Sequence, residues 1–417
     1  MGKHRCFRII LIPLLCTVLG CALLFCVSCI PDSLVFENAS RSAQQLKNMG
    51  PFSVVINEDD PSCTLDSYTD QQIVMEAYTL SRSNPGSVLL NPRHWSDDES
   101  QTGSFDALIN HSAPLNSNYF RYWMGFRIFV RPLLIFTDYF GMLKLVGAVL
   151  TVLGFCIGAA IGRGKDMLTA LCFAAAIALV NPAIIAQSLQ FCCCFIMALV
   201  FMSVILRMRN RHEIIPELFC LFGVATQFFD FYTSPVLCYG FPVLLLICFN
   251  PYRERPWRTM ISTAASWFYG YVSMWLMKLL CVSVFSNENG FYNGFDSLAG
   301  RLGIKIVEEY EQMYDVKGAL QAVWWVSCPG ENEKFFFLLL AALVVLSAVI
   351  LILKKGAKTT LSYSAFLAIA FIPVIWFCIA AQPTMIHFWF QYRSIALLFS
   401  GVFLFIAQGA VLIKQKN

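Results

Sequence analysis

Ten apolar runs, each near the length of a bilayer crossing, constrain this chain more than any motif it carries. They fall near residues 9–30, 141–161, 167–185, 189–206, 214–229, 235–249, 260–285, 335–353, 362–381 and 394–413. A run of roughly 20 such residues is what an α-helix needs to cross the hydrocarbon core. Composition agrees, with 58% hydrophobic and only 13% charged residues, where a soluble domain needs roughly a quarter charged to cover its surface. The expected fold class is an all-α membrane protein with about ten transmembrane helices, a single integral membrane domain over residues 1–417. The net charge of +4 is no nucleic-acid signature, because the basic residues sit in short loops between the runs. Most cysteines, Cys192, Cys193 and Cys194 among them, lie inside apolar runs and read as small core residues.

Orientation follows from those short loops. Lys3, Arg5 and Arg8 precede the first run; Arg163 and Lys165 follow the second; Arg207, Arg209 and Arg211 follow the fourth. Arg253, Arg255 and Arg258 follow the sixth, Lys354, Lys355 and Lys358 the eighth, and Lys414 and Lys416 close the chain. With the N-terminus inside, every cluster falls on the cytoplasmic side, so both termini are expected in the cytoplasm of a multi-pass plasma-membrane protein. The first run continues through Cys21 to Ile30, further than a cleaved signal normally goes, and reads as an uncleaved span.

Two long segments are then external, residues 31–139 and 287–334. The first is acidic at Asn57-Glu58-Asp59-Asp60 and Asp97-Asp98-Glu99, turns at Asn84-Pro85-Gly86, and carries Leu65-Asp66-Ser67-Tyr68-Thr69-Asp70 leading into a helix to about Leu80. Asp66 would cap that helix, or Thr69 would with Gln72 completing a capping box. Its end, Tyr119 to Phe136, alternates aromatics with Arg121, Arg127 and Arg131, the pattern of an amphipathic helix in the outer headgroup layer. No internal repeat of the transporter kind is visible.

Soluble-enzyme motifs are absent, and Cys26-Val27-Ser28-Cys29 is a lone pair with no second half for zinc. Cys63 and Cys328 are both external, and an oxidising compartment would permit a bridge between them. Asn38-Ala39-Ser40 and Asn110-His111-Ser112 are sequons too common to decide anything. What remains is set by depth, since an ionisable residue in or beside a span is costly and so paired or functional. Asp230, Lys278, His387 and Arg393 all lie at the outer ends of spans, level with Arg127, Arg131 and Trp123. Each has a plainer reading: snorkelling for Lys278, interfacial anchoring for His387 and Arg393, headgroup binding for the loop arginines, solvated surface for Asp66 and Asp70. As a set, basic groups suit a lipid-linked phosphate and a carboxylate suits a base for an acceptor hydroxyl.

At these residues the chain resembles the GT-C class of membrane glycosyltransferases, and within it a poorly characterised group of bacterial membrane proteins. That group has an LDN-x-TD-like stretch, matched by Leu65 to Asp70 with Ser67 in place of Asn. It also has an RYWHGY-like stretch, matched by Arg121-Tyr122-Trp123-Met124-Gly125-Phe126. Phe229 to Pro235, Tyr269 to Lys278 and His387 to Arg393 extend the likeness over most of the chain. The resemblance implies a GT-C-like topology, a polyprenyl-phosphate-linked sugar as donor and a cell-envelope acceptor. Asp66 or Asp70 would be the catalytic acid, with Asp32, Asp59 and Asp60 behind them. Arg121, Trp123, Arg127, Arg131, Asp230, Lys278, His387 and Arg393 would bind substrate. A divalent cation, Mg or Mn, in the first loop is left open. The other expectations are a transporter or lipid flippase, with Asn181-Pro182 and Pro235 as helix breaks, and a non-catalytic scaffold.

Overall fold

A computed structural model describes residues 3–81, 93–94, 103–111, 117–231, 233–302, 304, 315–328 and 331–414. The Asn84-Pro85-Gly86 turn and the Asp97-Asp98-Glu99 run lie outside the described residues, as do Tyr232 and the Ser112 of the second sequon. The described elements are helices, apart from a two-residue antiparallel pairing of Arg93–His94 with Ser117–Asn118 and an isolated bridge between Val54 and Thr64.

Helix α1 (Lys3–Ser28) leads to a group of α2 (Asp32–Met49), α3 (Ser67–Tyr78), α4 (Ser104–His111) and α5 (Arg127–Phe136), the segment expected to be external. The bundle follows: α6 (Tyr139–Gly164), α7 (Met167–Ala178), α8 (Pro182–Ile185), α9 (Leu189–Met208), α10 (Ile215–Phe229), α11 (Pro235–Ile247) and α12 (Pro256–Phe285). Next come α13 (Gly290–Arg301) and α14 (Val316–Ser327), then α15 (Glu331–Lys355), α16 (Ala357–Tyr363), α17 (Ala365–Ala370) and α18 (Ile372–Ile379). The chain closes with α19 (Ala381–Ile386), α20 (Phe388–Gln391) and α21 (Ala396–Lys414).

Among the described residues six helices are long and apolar enough to cross a membrane, and the pair Ala357–Ala370 and Ile372–Ile379, bent by 41°, makes a seventh if counted as one. Their outer surfaces carry bare apolar side chains such as Phe155 (77% exposed) and Leu353 (77%), which water would not tolerate over so wide an area. Three of the expected crossings form shorter helices. α7 has 12 residues, α10 has 15 and α11 has 13. Every residue of α11 is buried, so this helix is the axis of the bundle and meets protein on all sides.

The basic clusters gather at one end. Arg5 and Arg8 pair with Glu217 at the start of α10, Tyr252 donates to the Arg209 carbonyl at 2.7 Å, and Arg253 donates to the Tyr363 hydroxyl. The opposite end carries α2–α5, α13 and α14. There Asn181 donates to Ser62 at 3.1 Å, and Trp123 donates to the Met274 carbonyl at 2.9 Å.

The external group has its own core of Val35, Ala39, Leu46, Ile73, Tyr78, Phe105, Leu134 and Tyr139. Helix starts are fixed by side-chain caps: Asp66 on α3, Asp138 on α6, Asp166 on α7 and Ser188 on α9. The α5 helix is two-faced as its pattern predicts, but its hand is reversed. Arg127, Val130, Arg131 and Leu134 turn into the protein, while Phe129 and Phe136 are exposed. Its arginines therefore do not reach out to headgroups.

Glycines set the closest helix contact. A Cβ on Gly223 of α10 would lie 2.0 Å from the Trp267 carbonyl oxygen of α12, and one on Gly270 would lie 2.1 Å from that of Cys220. Such small-residue approach is how helices associate without a hydrophobic drive. Gly223→Val is expected to cost about 1–3 kcal/mol by overpacking, read as a lowered thermal midpoint in detergent. An unchanged midpoint would mean that α10 and α12 do not pack backbone to backbone.

Candidate functional site

The two acids of the Leu65–Asp70 stretch are both buried, at 2% and 1% exposure, yet they do different things. Asp70 is saturated. Its Oδ2 accepts from the Tyr139 hydroxyl at 2.8 Å and the Leu189 amide at 2.9 Å, and its Oδ1 from the Gln190 amide at 2.9 Å and the Ser188 hydroxyl at 3.1 Å. A carboxylate at the N-terminus of α9 meets free amides and the positive end of the helix dipole. Burial pushes its proton affinity up, the four donors pull it back, and the result is about 6. Asp70 is thus a charged peg joining α3 to α6 and α9.

Asp66 keeps a lighter set of contacts. Its two oxygens accept from the Thr69 amide and the Thr69 hydroxyl, each at 2.9 Å. Burial, opposed by these bonds and aided by the nearby Asp70 charge, raises it to about 7, the range in which a carboxylate serves as a base at neutral pH.

Arg131 is also committed. It donates to the Ala77 and Tyr78 carbonyls at the end of α3, to the Ile30 carbonyl, and to Asp32 at 2.9 Å. Those partners make it a clasp between α1, α2 and α3 rather than a phosphate ligand. Asp230, at the end of α10, accepts from the Cys194 thiol at 3.0 Å and the Thr233 amide at 3.3 Å. Arg393 donates to the Ser62 carbonyl at 2.6 Å and the Trp389 carbonyl at 2.9 Å, between the rings of Phe191 and Tyr392. It pins the turn Pro61–Cys63, where Asp60 accepts from the Ser62 amide.

The other expected residues converge, and they bring company that sequence reasoning missed. Lys278, fully buried, lies 5.1 Å from the centre of the Trp123 ring. It is within electrostatic reach of Arg127 and of Glu76, a buried acid on α3. Arg127 also feels Glu76, and it donates to the Met124 and Trp123 carbonyls. Tyr119 stands among Tyr68, Glu76, Arg121 and Asp66, and its burial and the acids raise its phenol. The Arg121 guanidinium lies 5.5 Å from the Tyr122 ring centre, and that of Arg301 lies 5.3 Å from it while donating to the Tyr122 hydroxyl. Burial and the neighbouring Arg121 lower Arg301 to about 10, so it stays cationic. Burial, and then Arg301, hold His387 down to about 4, a neutral imidazole. The cluster runs from fully buried Glu76, Arg127 and Lys278 out to half-buried Arg121, Arg301 and His387.

Local backbone supports this convergence. Gly125 donates its amide to the Phe228 carbonyl at 3.0 Å, and a Cβ there would lie 2.6 Å from that oxygen. Met124 before it takes a left-handed φ of 53°, costly for a side-chain-bearing residue. The turn that carries Arg121, Tyr122 and Trp123 is thereby locked onto α10.

No described donor set gathers around a cation position. Asp66 and Asp70 direct their oxygens to N–H and O–H groups, and among the described residues no three His, Cys, Asp or Glu side chains gather as ligands. Cys63 and Cys328 are both buried and are not bridged to one another. Comparison of the chain with protein families, characterised proteins and solved structures gives no match.

The different roles of the two acids have separable consequences. Asp70→Ala strands four donors and is expected to cost on the order of 3 kcal/mol, seen as a large fall in thermal midpoint. Asp66→Asn keeps an N-cap of nearly equal strength and should leave the midpoint close to wild type. Equal losses in the two variants would contradict this division.

Proposed function

We propose that the protein is a glycosyltransferase of GT-C-like plan, acting at the outer membrane face on a polyprenyl-phosphate-linked sugar and an envelope acceptor. In this reading the chain makes ten crossings with both termini cytoplasmic, as the gathering of basic clusters at one end favours. The observation that carries the reading is the pairing of Arg121 and Arg301 across Tyr122, beside Asp66 and Glu76. The two guanidiniums are near enough for the charge of Arg121 to act on Arg301, and a phosphate beside them would gain charge-assisted hydrogen bonds. They replace Arg131 and Arg393 as the phosphate ligands, while Arg127 and Lys278 add positive potential from beneath.

Asp66 is the base that takes the acceptor hydroxyl proton as the hydroxyl oxygen attacks the anomeric carbon, with the polyprenyl phosphate leaving on the opposite face and configuration inverted. Its raised proton affinity suits that work. Neutral His387 sits beside Arg301 and hydrogen-bonds substrate without adding charge. Transport is less well supported. Asn181-Pro182 lies at the outer end, against Ser62 and Cys63, and Pro235 opens α11 rather than breaking a helix. A translocation path needs its breaks near the midplane, and the 41° bend between Ala357–Ala370 and Ile372–Ile379 is the feature that would favour that reading.

The test is envelope glycan composition, by mass spectrometry, in a deletion strain of the native host. A sugar lost on deletion should return with wild type. It should not return with Asp66→Asn, nor with Arg121→Ala combined with Arg301→Ala, at matched membrane expression. An unchanged glycan profile on deletion, or full rescue by Asp66→Asn, ends the proposal.

The pH profile has a defined sign. The base must be ionised, so transfer by isolated membranes is expected to fall as pH drops below about 7. Thr69→Val removes one bond to the charged carboxylate and should move that limb to higher pH. A limb that stays in place, or moves down, assigns it to another group.

A further inference from the structure

A cavity of about 470 Å³ is bounded by the Pro61–Cys63 turn, the α7–α8 junction, α14 and α15, and no side chain of the cluster above lines it. The volume falls within the roughly 300–1,000 Å³ of small-ligand sites. Its walls are of two kinds. Asp60, Ser62, Asn181, Ser327 and Tyr392 line one part, and Leu179, Phe336, Phe337, Ile395 and Phe399 the other. Leu179 is 45% exposed and Phe336 37% exposed, so the apolar part is rimmed by side chains of the lipid-facing surface.

We propose that this cavity seats a glycolipid, with its sugar head against Asp60, Asn181 and Tyr392 and its hydrocarbon along Phe336, Phe337 and Phe399. Charge selects the head. Asp60 is the one charged side chain among the lining residues, and a carboxylate repels an anionic headgroup while accepting hydroxyl hydrogen bonds. The Tyr392 ring offers an apolar face for a sugar's C–H surface, and the amide of Asn181 and the hydroxyl of Ser327 add polar partners. Arg393 lies within electrostatic reach of Asp60 and over one face of the Tyr392 ring, with its guanidinium committed to the Ser62 and Trp389 carbonyls. Phe399 stacks near Phe336 and Phe337, with ring centres 6.1 Å and 5.7 Å away, and forms a continuous aromatic wall for a chain. Resting on the transfer reading, this makes the acceptor a lipid-borne sugar. Its hydroxyl approaches Asp66 from the side of the Pro61–Cys63 turn, four residues away along the chain from Ser62.

The experiment uses the full-length protein in phosphatidylcholine nanodiscs. Each disc is doped with a diazirine-chain glucosyl diacylglycerol or with phosphatidic acid bearing the same chain. Photolabelling mapped by mass spectrometry should place the glycolipid on the segment containing Phe336 and Phe337, several-fold above phosphatidic acid. Ser327→Trp, which fills the cavity, should reduce that label to the phosphatidic acid level, and Asp60→Asn should narrow the difference between the probes. Asp66→Asn should leave labelling intact, so failed transfer and failed seating are read separately. Equal labelling by the two probes, or labelling unmoved by Ser327→Trp, overturns the proposal.

Discussion

The outer end of this protein depends on one buried carboxylate. Asp70 accepts hydrogen bonds from α6, through Tyr139, and from three consecutive residues at the start of α9. A charge so enclosed is tolerable only when its oxygens are fully engaged. Its position therefore fixes where α3 lies against the bundle. Once α3 is fixed, so are Asp66 at its cap and Glu76 nearly three turns further on. The Arg131 clasp at the far end of the same helix completes the constraint, because its carbonyl acceptors exist only where α3 stops.

Much of the fold was legible because hydropathy is a strong, local signal. The first, second, fourth, seventh, eighth and tenth apolar runs all became long helices, and the cap at Asp66 followed from residue type and spacing. The short helices were harder to anticipate. Hydropathy cannot separate a helix bathed in lipid from one enclosed by protein, so α11 read as an ordinary crossing although all its residues are buried. The two-faced pattern of residues 119–136 was equally ambiguous about direction. Its arginines went inward because carbonyls and carboxylates from elsewhere in the chain meet them there.

The candidate site was legible in outline and not in its roles. Lys278, Trp123 and Arg127 lie together with Glu76, while Asp66 neighbours Thr69, Asp70 and Tyr119. Asp66 and Asp70 looked interchangeable because what separates them is tertiary: the partners of Asp70 lie 69 to 120 residues further along. Glu76 did carry a signal, as a single acid within Ile73-Val74-Met75-Glu76-Ala77, but the acidic loops around it drew attention first. Arg301 carried none. It ends a helix in the second external segment, and only folding sets it opposite Arg121.

The brevity of α7 and α11 changes the landscape that a lipid meets. At about 1.5 Å per residue, twelve and thirteen residues fall well short of the roughly 30 Å hydrocarbon layer. The 30-residue α12 overshoots it. Around these two short helices the remaining depth falls to connecting segments rather than to helix, as at the Ser62–Asn181 contact beyond α7. A lipid-linked substrate of the kind proposed would meet polar side chains there without its tail leaving the membrane.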